Sequence, residues 1–141
     1  MLYDRAPIIA SAREQIDTAG LSERCELIVG DFFEAVPGGG DAYVMSRILH
    51  DWDDDRDLVI LRNCHRAMAE QGKLLVVETV LPPGNEPSLA KFADLTMLVI
   101  RVGARERTEA EYGDLLAHAG FKLARVIRTA GLHSVLEAVP V

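Results

Sequence analysis

The sequence has few cysteines, no long apolar run and no excess of positive charge, and each lack excludes a class of protein. Its 141 residues include two cysteines, both in apolar surroundings, which indicates free thiols in a reducing cytosol rather than a disulfide framework. No apolar run reaches the length of a membrane span, and no basic-then-apolar leader opens the chain, so we expect a cytoplasmic protein. The net charge of −7 disfavours nucleic acids and anionic membranes as partners.

Several motifs of phosphate, nucleotide and hydrolase chemistry are also missing. The sequence has no P-loop, no paired CxxC, no G-x-S-x-G elbow and no G-x-G-x-x-G loop. Its one glycine run, at residues 38–40, precedes a predicted strand instead of following one. This position excludes a dinucleotide-binding loop.

What is present is ordinary for one globular domain with a hydrophobic core, with 49% hydrophobic and 26% charged residues. Hydrophobic periodicity, together with glycine and proline positions, predicts the helices and strands. Helices are expected over 7–19, 53–69, 89–100 and from a capping box at 108 and 111 to 119, and strands over 25–29, 41–45, 73–78, 121–128 and 133–139. Little room is left for a strand before the first helix. This alternation predicts an α/β fold around a mostly parallel sheet, ending in an antiparallel hairpin.

Polar residues follow three successive predicted strands, at the edge where open α/β sheets bind ligands. Asp31 and Phe32 follow one strand, His50 follows the next, and Glu78 ends a third. Each residue has an ordinary alternative. His50 suits proton transfer near neutrality but equally suits packing near a helix start. Asp31 suits a cofactor hydroxyl or a local turn, Phe32 a flat base or the core, and Glu78 a site or a partly solvated strand end.

Two further acidic features have simple explanations when they are considered alone. Glu106 lies between two arginines, which is typical of a surface ion pair. The acids at 53–55 lie in the first turn of a predicted helix, where the helix dipole favours negative charge. We therefore expect no metal site, although these acids beside His50 leave one open.

Taken together, these segments resemble one family of enzymes. The resemblance is carried by Gly30-Asp31-Phe32-Phe33, by Ile48-Leu49-His50-Asp51-Trp52-Asp53-Asp54, by the strand ending in Val77-Glu78, and by Glu106-Arg107-Thr108. Their order and spacing resemble the S-adenosylmethionine-dependent O-methyltransferases of small molecules, of the caffeic acid and acetylserotonin type. The resemblance covers the whole chain and implies a Rossmann-like class I methyltransferase sheet.

The resemblance implies a role for each of the matching residues. His50 corresponds to the general base that deprotonates a hydroxyl of a small acceptor, and Glu78 and Glu106 to the acids that orient it. It implies S-adenosyl-L-methionine as cofactor and a hydroxylated small molecule as substrate. The implied cofactor contacts are Asp4, Asp31, Phe32, Ser46 and Trp52, and the implied acceptor-pocket residues are Asp94 and Met97.

The chain also departs from this family. Ser46 stands where many relatives have a lysine near the cofactor. Residues 1–141 match only the C-terminal portion of the catalytic domain, so we expect the first strand with its glycine-rich loop, and the N-terminal dimerisation domain, to be absent. A sheet without its first strand has unpaired inner edges, which predicts a homodimer or a complementing chain. Two other readings stay open, namely a non-catalytic remnant or partner subunit and a nicotinamide-dependent oxidoreductase.

Overall fold

A computed structural model describes all 141 residues, and the succession of its elements follows the predicted α/β alternation. Seven strands and four helices are present. The strands are β1 (Leu2–Asp4), β2 (Leu27–Val29), β3 (Ala42–Ser46), β4 (Lys73–Leu81), β5 (Arg107–Thr108), β6 (Phe121–Arg128) and β7 (His133–Pro140), and the helices are α1 (Ala6–Thr18), α2 (Asp54–Ala67), α3 (Leu89–Ile100) and α4 (Glu109–His118).

The strands form two separate sheets. The first is the parallel pair of β1 and β2, and the second contains five strands in the order β3-β4-β7-β6, with β5 paired to β4. In the second sheet, β3 and β5 run parallel to β4, whereas β7 is antiparallel to both β4 and β6. The α/β class and the terminal hairpin are therefore confirmed, and the expected interruption of the sheet falls between β1 and β3.

A cleft occupies the position of this interruption. It has a volume of about 560 Å³, and 12 of its 18 lining residues are hydrophobic. Met1 to Asp4 line one side and Ala42 to Ser46 line the other. The strands β1 and β3 thus face each other across an apolar slot without hydrogen-bonding to each other.

The hydrophobic core lies entirely on one side of this cleft. Its cluster of 12 buried residues comes from the chain between Leu49 and Ala138. Among residues 1–48 only Ile9 is buried. The five-stranded sheet, packed with α2 and α4, therefore supplies nearly all of the buried apolar contact.

Three sequence expectations need correction. A strand does precede the first helix, because Leu2–Asp4 pairs with Leu27–Val29. The two-residue strand Arg107–Thr108, which pairs with Val80 and Leu81, was not predicted. Two residues are too few to show hydrophobic periodicity in the sequence. Finally, β4 continues beyond Glu78 to Leu81, so Glu78 is a fully buried interior residue of the strand and not its partly solvated end.

Cys25 and Cys64 are both free thiols, as expected. None of the helices has the length and apolar character needed to cross a membrane.

Candidate functional site

His50 lies in a short 3₁₀ turn, Leu49–Asp51, just after strand β3. The chain reaches this turn through Arg47, whose φ of 57° places a non-glycine residue in the left-handed region. His50 itself is 7% exposed, and Leu49 is fully buried beneath it. The turn therefore presents a nearly enclosed imidazole at the carboxyl end of a parallel strand, where open α/β sheets place their ligands.

Glu78 fixes both the backbone and the side chain of this turn. Its Oε1 accepts hydrogen bonds from the backbone N–H groups of Ile48 at 2.8 Å and Leu49 at 2.9 Å. Its Oε2 lies 2.8 Å from Nδ1 of His50. A carboxylate at Nδ1 keeps the proton on that nitrogen and leaves Nε2 as the proton acceptor. This hydrogen bond raises the pKa of His50 above 6.5, against the opposing effect of burial.

Glu106 completes a three-residue cluster and approaches the same ring nitrogen of His50 as Glu78 does. Its Oε1 lies 4.0 Å from Nδ1 of His50, and its Oε2 is buried without a hydrogen-bond partner. Burial, with a further contribution from the nearby Glu78 carboxylate, raises the pKa of Glu106 to about 7 against the lowering effect of His50. The surface ion pair considered for Glu106 is therefore wrong, because the residue is 4% exposed and faces the histidine.

The three side chains also have the composition of a metal site. Their possible ligand atoms lie within 4.8 Å of one another, and all three residues are buried. However, Nδ1 of His50 is already engaged by Glu78 at 2.8 Å. The acids at 53–55 are not part of this cluster, since Asp53 caps α2 and accepts a hydrogen bond from the backbone of Arg56.

The residues expected to contact the cofactor divide into two groups. Asp4, Phe32 and Ser46 all line the cleft between β1 and β3. Asp31 does not line it, and its carboxylate accepts a hydrogen bond from the backbone N–H of Phe33 at 2.9 Å. That contact is the local turn considered for Asp31 as an alternative.

Trp52 lies outside the cleft, in an aromatic and cationic stack. Its ring meets Phe33 edge-on with centroids 4.8 Å apart. The guanidinium groups of Arg56 and Arg101 lie 5.1 and 4.6 Å from its centroid. These cation–π contacts join the His50 turn to both α2 and the end of α3.

Asp94 and Met97 lie half-buried on α3. The Asp94 carboxylate accepts a hydrogen bond from the backbone N–H of Glu106 at 2.8 Å. Helix α3 has a single buried residue, Ala90, and exposes a large apolar surface. The exposed apolar residues along α3 and just after it are Leu89, Phe92, Leu95, Leu98, Val99, Ile100 and Val102.

Sequence reasoning did not single out Arg107 or Asp57. Both side chains are fully buried, and they form an ion pair at 2.8 Å. Burial raises the pKa of Asp57 to about 8, against the opposing charge of Arg107. Two charged residues among many on a polar stretch give no sequence signal, because burial of this pair depends on the packing of β5 against α2.

Comparison with known proteins connects this geometry to one family. Residues 1–122 match the model of the O-methyltransferase domain. The chain is 49% identical over 141 residues to a phenazine O-methyltransferase of Lysobacter antibioticus, which covers 100% of this chain and 41% of that protein. It is 37% identical over 142 residues to the acetylserotonin O-methyltransferase of Mus musculus, covering 97% of this chain and 36% of the relative.

Solved structures give the same result. The crystal structure of LaPhzM superposes with a TM-score of 0.93 at 49% identity, covering 99% of this chain and 42% of that one. NcsB1 of neocarzinostatin biosynthesis, solved with S-adenosylmethionine and 2-hydroxy-5-methyl naphthoic acid, superposes with a TM-score of 0.87 at 34% identity, covering 99% and 40%. The 141 residues thus span about two fifths of these relatives. The chain belongs to the O-methyltransferase domain family, with the class I methyltransferase fold.

Proposed function

We propose that the chain carries the base and part of the cofactor site of an O-methyltransferase that uses S-adenosyl-L-methionine. The observation that supports this most strongly is the buried pairing of His50 with Glu78, at 2.8 Å, in a member of this family. Relatives are named for methylation of small natural products, among them a phenazine and a puromycin precursor. We therefore propose a small hydroxylated acceptor, of phenolic or similar natural-product type.

The chemistry required of the protein is the removal of one proton from the acceptor hydroxyl. A phenol has a pKa near that of tyrosine, about 10, so it is mostly protonated at neutral pH. His50, with Nδ1 held by Glu78, takes the proton at Nε2 as the oxygen attacks. Glu78 stabilises the resulting imidazolium, and Glu106, whose Oε1 lies 4.0 Å from Nδ1, stabilises it further when its carboxyl group is ionised. The cofactor, when bound, supplies a methyl group already activated on a sulfonium.

The residues along the cleft fit the adenosine part of this cofactor. Asp4 at the end of β1 offers a carboxylate to ribose hydroxyls, Phe32 offers an aromatic face, and Ser46 a hydroxyl. We further propose Asp31 and Trp52 as contacts at the edge of this site. NcsB1 and CalO1 have been solved with S-adenosylmethionine or S-adenosylhomocysteine bound, which supports the same cofactor here.

For the acceptor side we propose Met97 and Asp94 as pocket residues. Met97 is a flexible apolar side chain on the same helix as Asp94, and such side chains adapt to flat ligands. Asp94 also bonds the backbone of Glu106, so it connects the pocket to the base cluster.

We also propose that residues 1–141 are the C-terminal portion of a larger catalytic domain and that the N-terminal dimerisation domain lies outside them. The open slot between β1 and β3 and the exposed apolar side of α3 both support this. Unpaired edges and exposed apolar surface favour association with a second copy or with a complementing chain. Light scattering of the purified chain tests the proposed self-association directly, and a folded monomer at high concentration would contradict that association.

The general-base role is tested by His50→Gln in the completed enzyme, with the exposed His118→Gln as matched control. Loss of a general base lowers the rate by roughly 100- to 10,000-fold, so we expect a fall of that size for His50→Gln alone. The wild-type rate should increase as pH rises through the pKa of His50, above 6.5. Full activity in the presence of a chelator is expected, and its loss would indicate that the three-residue cluster holds a metal.

Calorimetric titration with S-adenosylhomocysteine tests the cofactor proposal separately. Binding in the micromolar range would support a cofactor site within these residues or rebuilt by association. A folded chain without detectable binding would favour the non-catalytic remnant or partner subunit instead.

A further inference from the structure

The segment 105–107 is bonded to the His50 turn through the carbonyl groups of that turn. The backbone N–H of Arg105 donates to the carbonyl of His50 at 3.0 Å. Arg107 Nη1 donates to the carbonyl of Leu49 at 3.0 Å, and its Nη2 donates to the carbonyl of Trp52 at 3.1 Å. One guanidinium therefore bridges both ends of the turn that carries the imidazole.

The guanidinium is itself held rigidly. Its side chain has no exposed surface, and Nε and Nη2 both donate to Oδ1 of Asp54, at 3.0 and 2.6 Å. Asp57 pairs with it at 2.8 Å. Rotation of this buried guanidinium would break its hydrogen bonds to Asp54 and to the carbonyls of Leu49 and Trp52, which opposes any other orientation.

Arg107 and Glu78 act on complementary groups of the same turn. Glu78 accepts from the N–H groups of residues 48 and 49, and Arg107 donates to the carbonyls of residues 49 and 52. Arg107 also follows Glu106 directly, so one short segment carries both an acid of the cluster and the guanidinium that bonds the His50 turn.

We propose that Arg107 is a positioning residue, which fixes the 49–52 turn so that the imidazole of His50 stays aligned with Glu78 and with the acceptor. Only the expected effect on the methyl-transfer rate rests on the proposed function. The role needs the geometry of arginine, because a planar guanidinium can donate to two carbonyls and a carboxylate at once. The lysine ammonium is a compact point charge on a flexible stem. The competing explanation is that Arg107 only anchors the start of α2 through Asp54 and Asp57.

The substitution Arg107→Lys separates these explanations, because it keeps the positive charge and removes the fork. The chain is labelled at its histidine nitrogens, and NMR titration reports the pKa and the tautomer of His50. In the wild type we expect the neutral ring to carry its proton on Nδ1. In Arg107→Lys the bond to Glu78 loosens, so the pKa of His50 should fall by roughly 0.5–1 pH unit and the second tautomer should appear.

The matched control is Arg125→Lys, an arginine that pairs with Glu137 at 2.7 Å on the hairpin. It should leave the His50 titration unchanged. An unchanged pKa and tautomer of His50 in folded Arg107→Lys would overturn the proposal and leave only the anchoring of α2.

A second pair of variants covers the case in which Arg107→Lys does not fold. Asp54→Ala removes a carboxylate, 54% exposed, that pairs with Arg107 and also with Arg105. Its neighbour Asp55→Ala is the control in the same helical turn. We expect Asp54→Ala to lower the pKa of His50 as Arg107→Lys does, but by less. We expect Asp55→Ala to leave the pKa of His50 unchanged. Equal titrations in these two variants would also overturn the proposal.

Kinetics then connect the positioning to methyl transfer. In Arg107→Lys we expect kcat to fall roughly 10- to 100-fold, as small misplacements of reacting groups do, with the KM for the cofactor unchanged. The NMR result stands whether or not the chain transfers methyl groups. A shifted His50 titration in a chain without transferase activity would therefore count against methyl transfer by these residues alone and leave the role of Arg107 intact.

Discussion

The regions on the two sides of the cleft differ in how many of their residues are buried in a hydrophobic core. The five-stranded sheet, the helices α2 and α4 and the short segments next to them contain all 12 residues of the hydrophobic core and the whole His50 cluster. The region before β3 contains β1, β2 and α1, with one buried residue, Ile9. The two regions face each other across the slot lined by Asp4, Phe32 and Ser46.

The same difference separates the site of proton removal from the proposed site of cofactor binding. The proton acceptor is preassembled, because each contact that orients His50 comes from residues 48–107. The proposed cofactor contacts are instead distributed along the edges of two sheets that share no hydrogen bonds. Base geometry is therefore expected to survive perturbations that abolish cofactor binding.

The largest difference between the regions should appear in core truncations. Leu74→Ala removes a fully buried side chain of β4, which typically costs about 2–5 kcal/mol. Ile9→Ala removes a side chain of equal size, 4% exposed, from the other region. Because that region can open locally, we expect Ile9→Ala to lower the free energy of global unfolding by less than about 1 kcal/mol. Urea denaturation measures both, and equal losses would indicate one cooperative unit.

A smaller effect is expected from the pH dependence of the base cluster. The folded pKa of Glu106, about 7, lies above its ordinary value of 4.5, so the folded chain binds more protons between these pH values. The contribution to stability is complete below pH 4.5 and is lost as the pH rises to about 7. Unfolding measured at pH 5 and at pH 7.5 should show a greater loss for the wild type than for Glu106→Gln. Identical losses would be inconsistent with a buried, protonated Glu106.

The smallest effect should distinguish two helix caps. Thr108 caps α4 in a reciprocal capping box with Glu111, and α4 contributes to the core, so Thr108→Ala should cost about 1 kcal/mol. Ser88 caps the largely exposed α3 through a single hydrogen bond to Lys91, so Ser88→Ala should cost less than about 0.5 kcal/mol. Thermal unfolding of both variants provides the measurement, and a larger loss for Ser88→Ala would show that α3 belongs to the cooperative core.

Local signals in the sequence were sufficient for most elements of the fold. Helix α3 was predicted with its observed bounds, and the capping box at Thr108 and Glu111 is present. The strand β5 was missed because it has only two residues, and β1 was missed because its three residues are separated from α1 by a single residue. Such short strands are defined by their pairing partners and have too few residues to show a period.

The site was predictable by residue type but not by geometry. Strand ends indicated where His50 and Asp31 would lie, and family resemblance added Glu106, whose flanking arginines alone suggested the surface. The burial of Glu78 and the bridging role of Arg107 depend on contacts 28–58 residues apart in sequence. Long-range packing of this kind decides which charges are buried, and single-sequence patterns do not contain it.

Hydrogen exchange followed by mass spectrometry tests most directly whether the base cluster is built independently of the cofactor side. The account predicts slow, cooperative exchange in β4 and β7 and exchange at least roughly 100-fold faster in β1 and β2. It also predicts that the 48–52 turn exchanges with the slow group, since Glu78 accepts two of its N–H groups. Uniform protection across both sheets, or a turn that exchanges with β1 and β2, would contradict it.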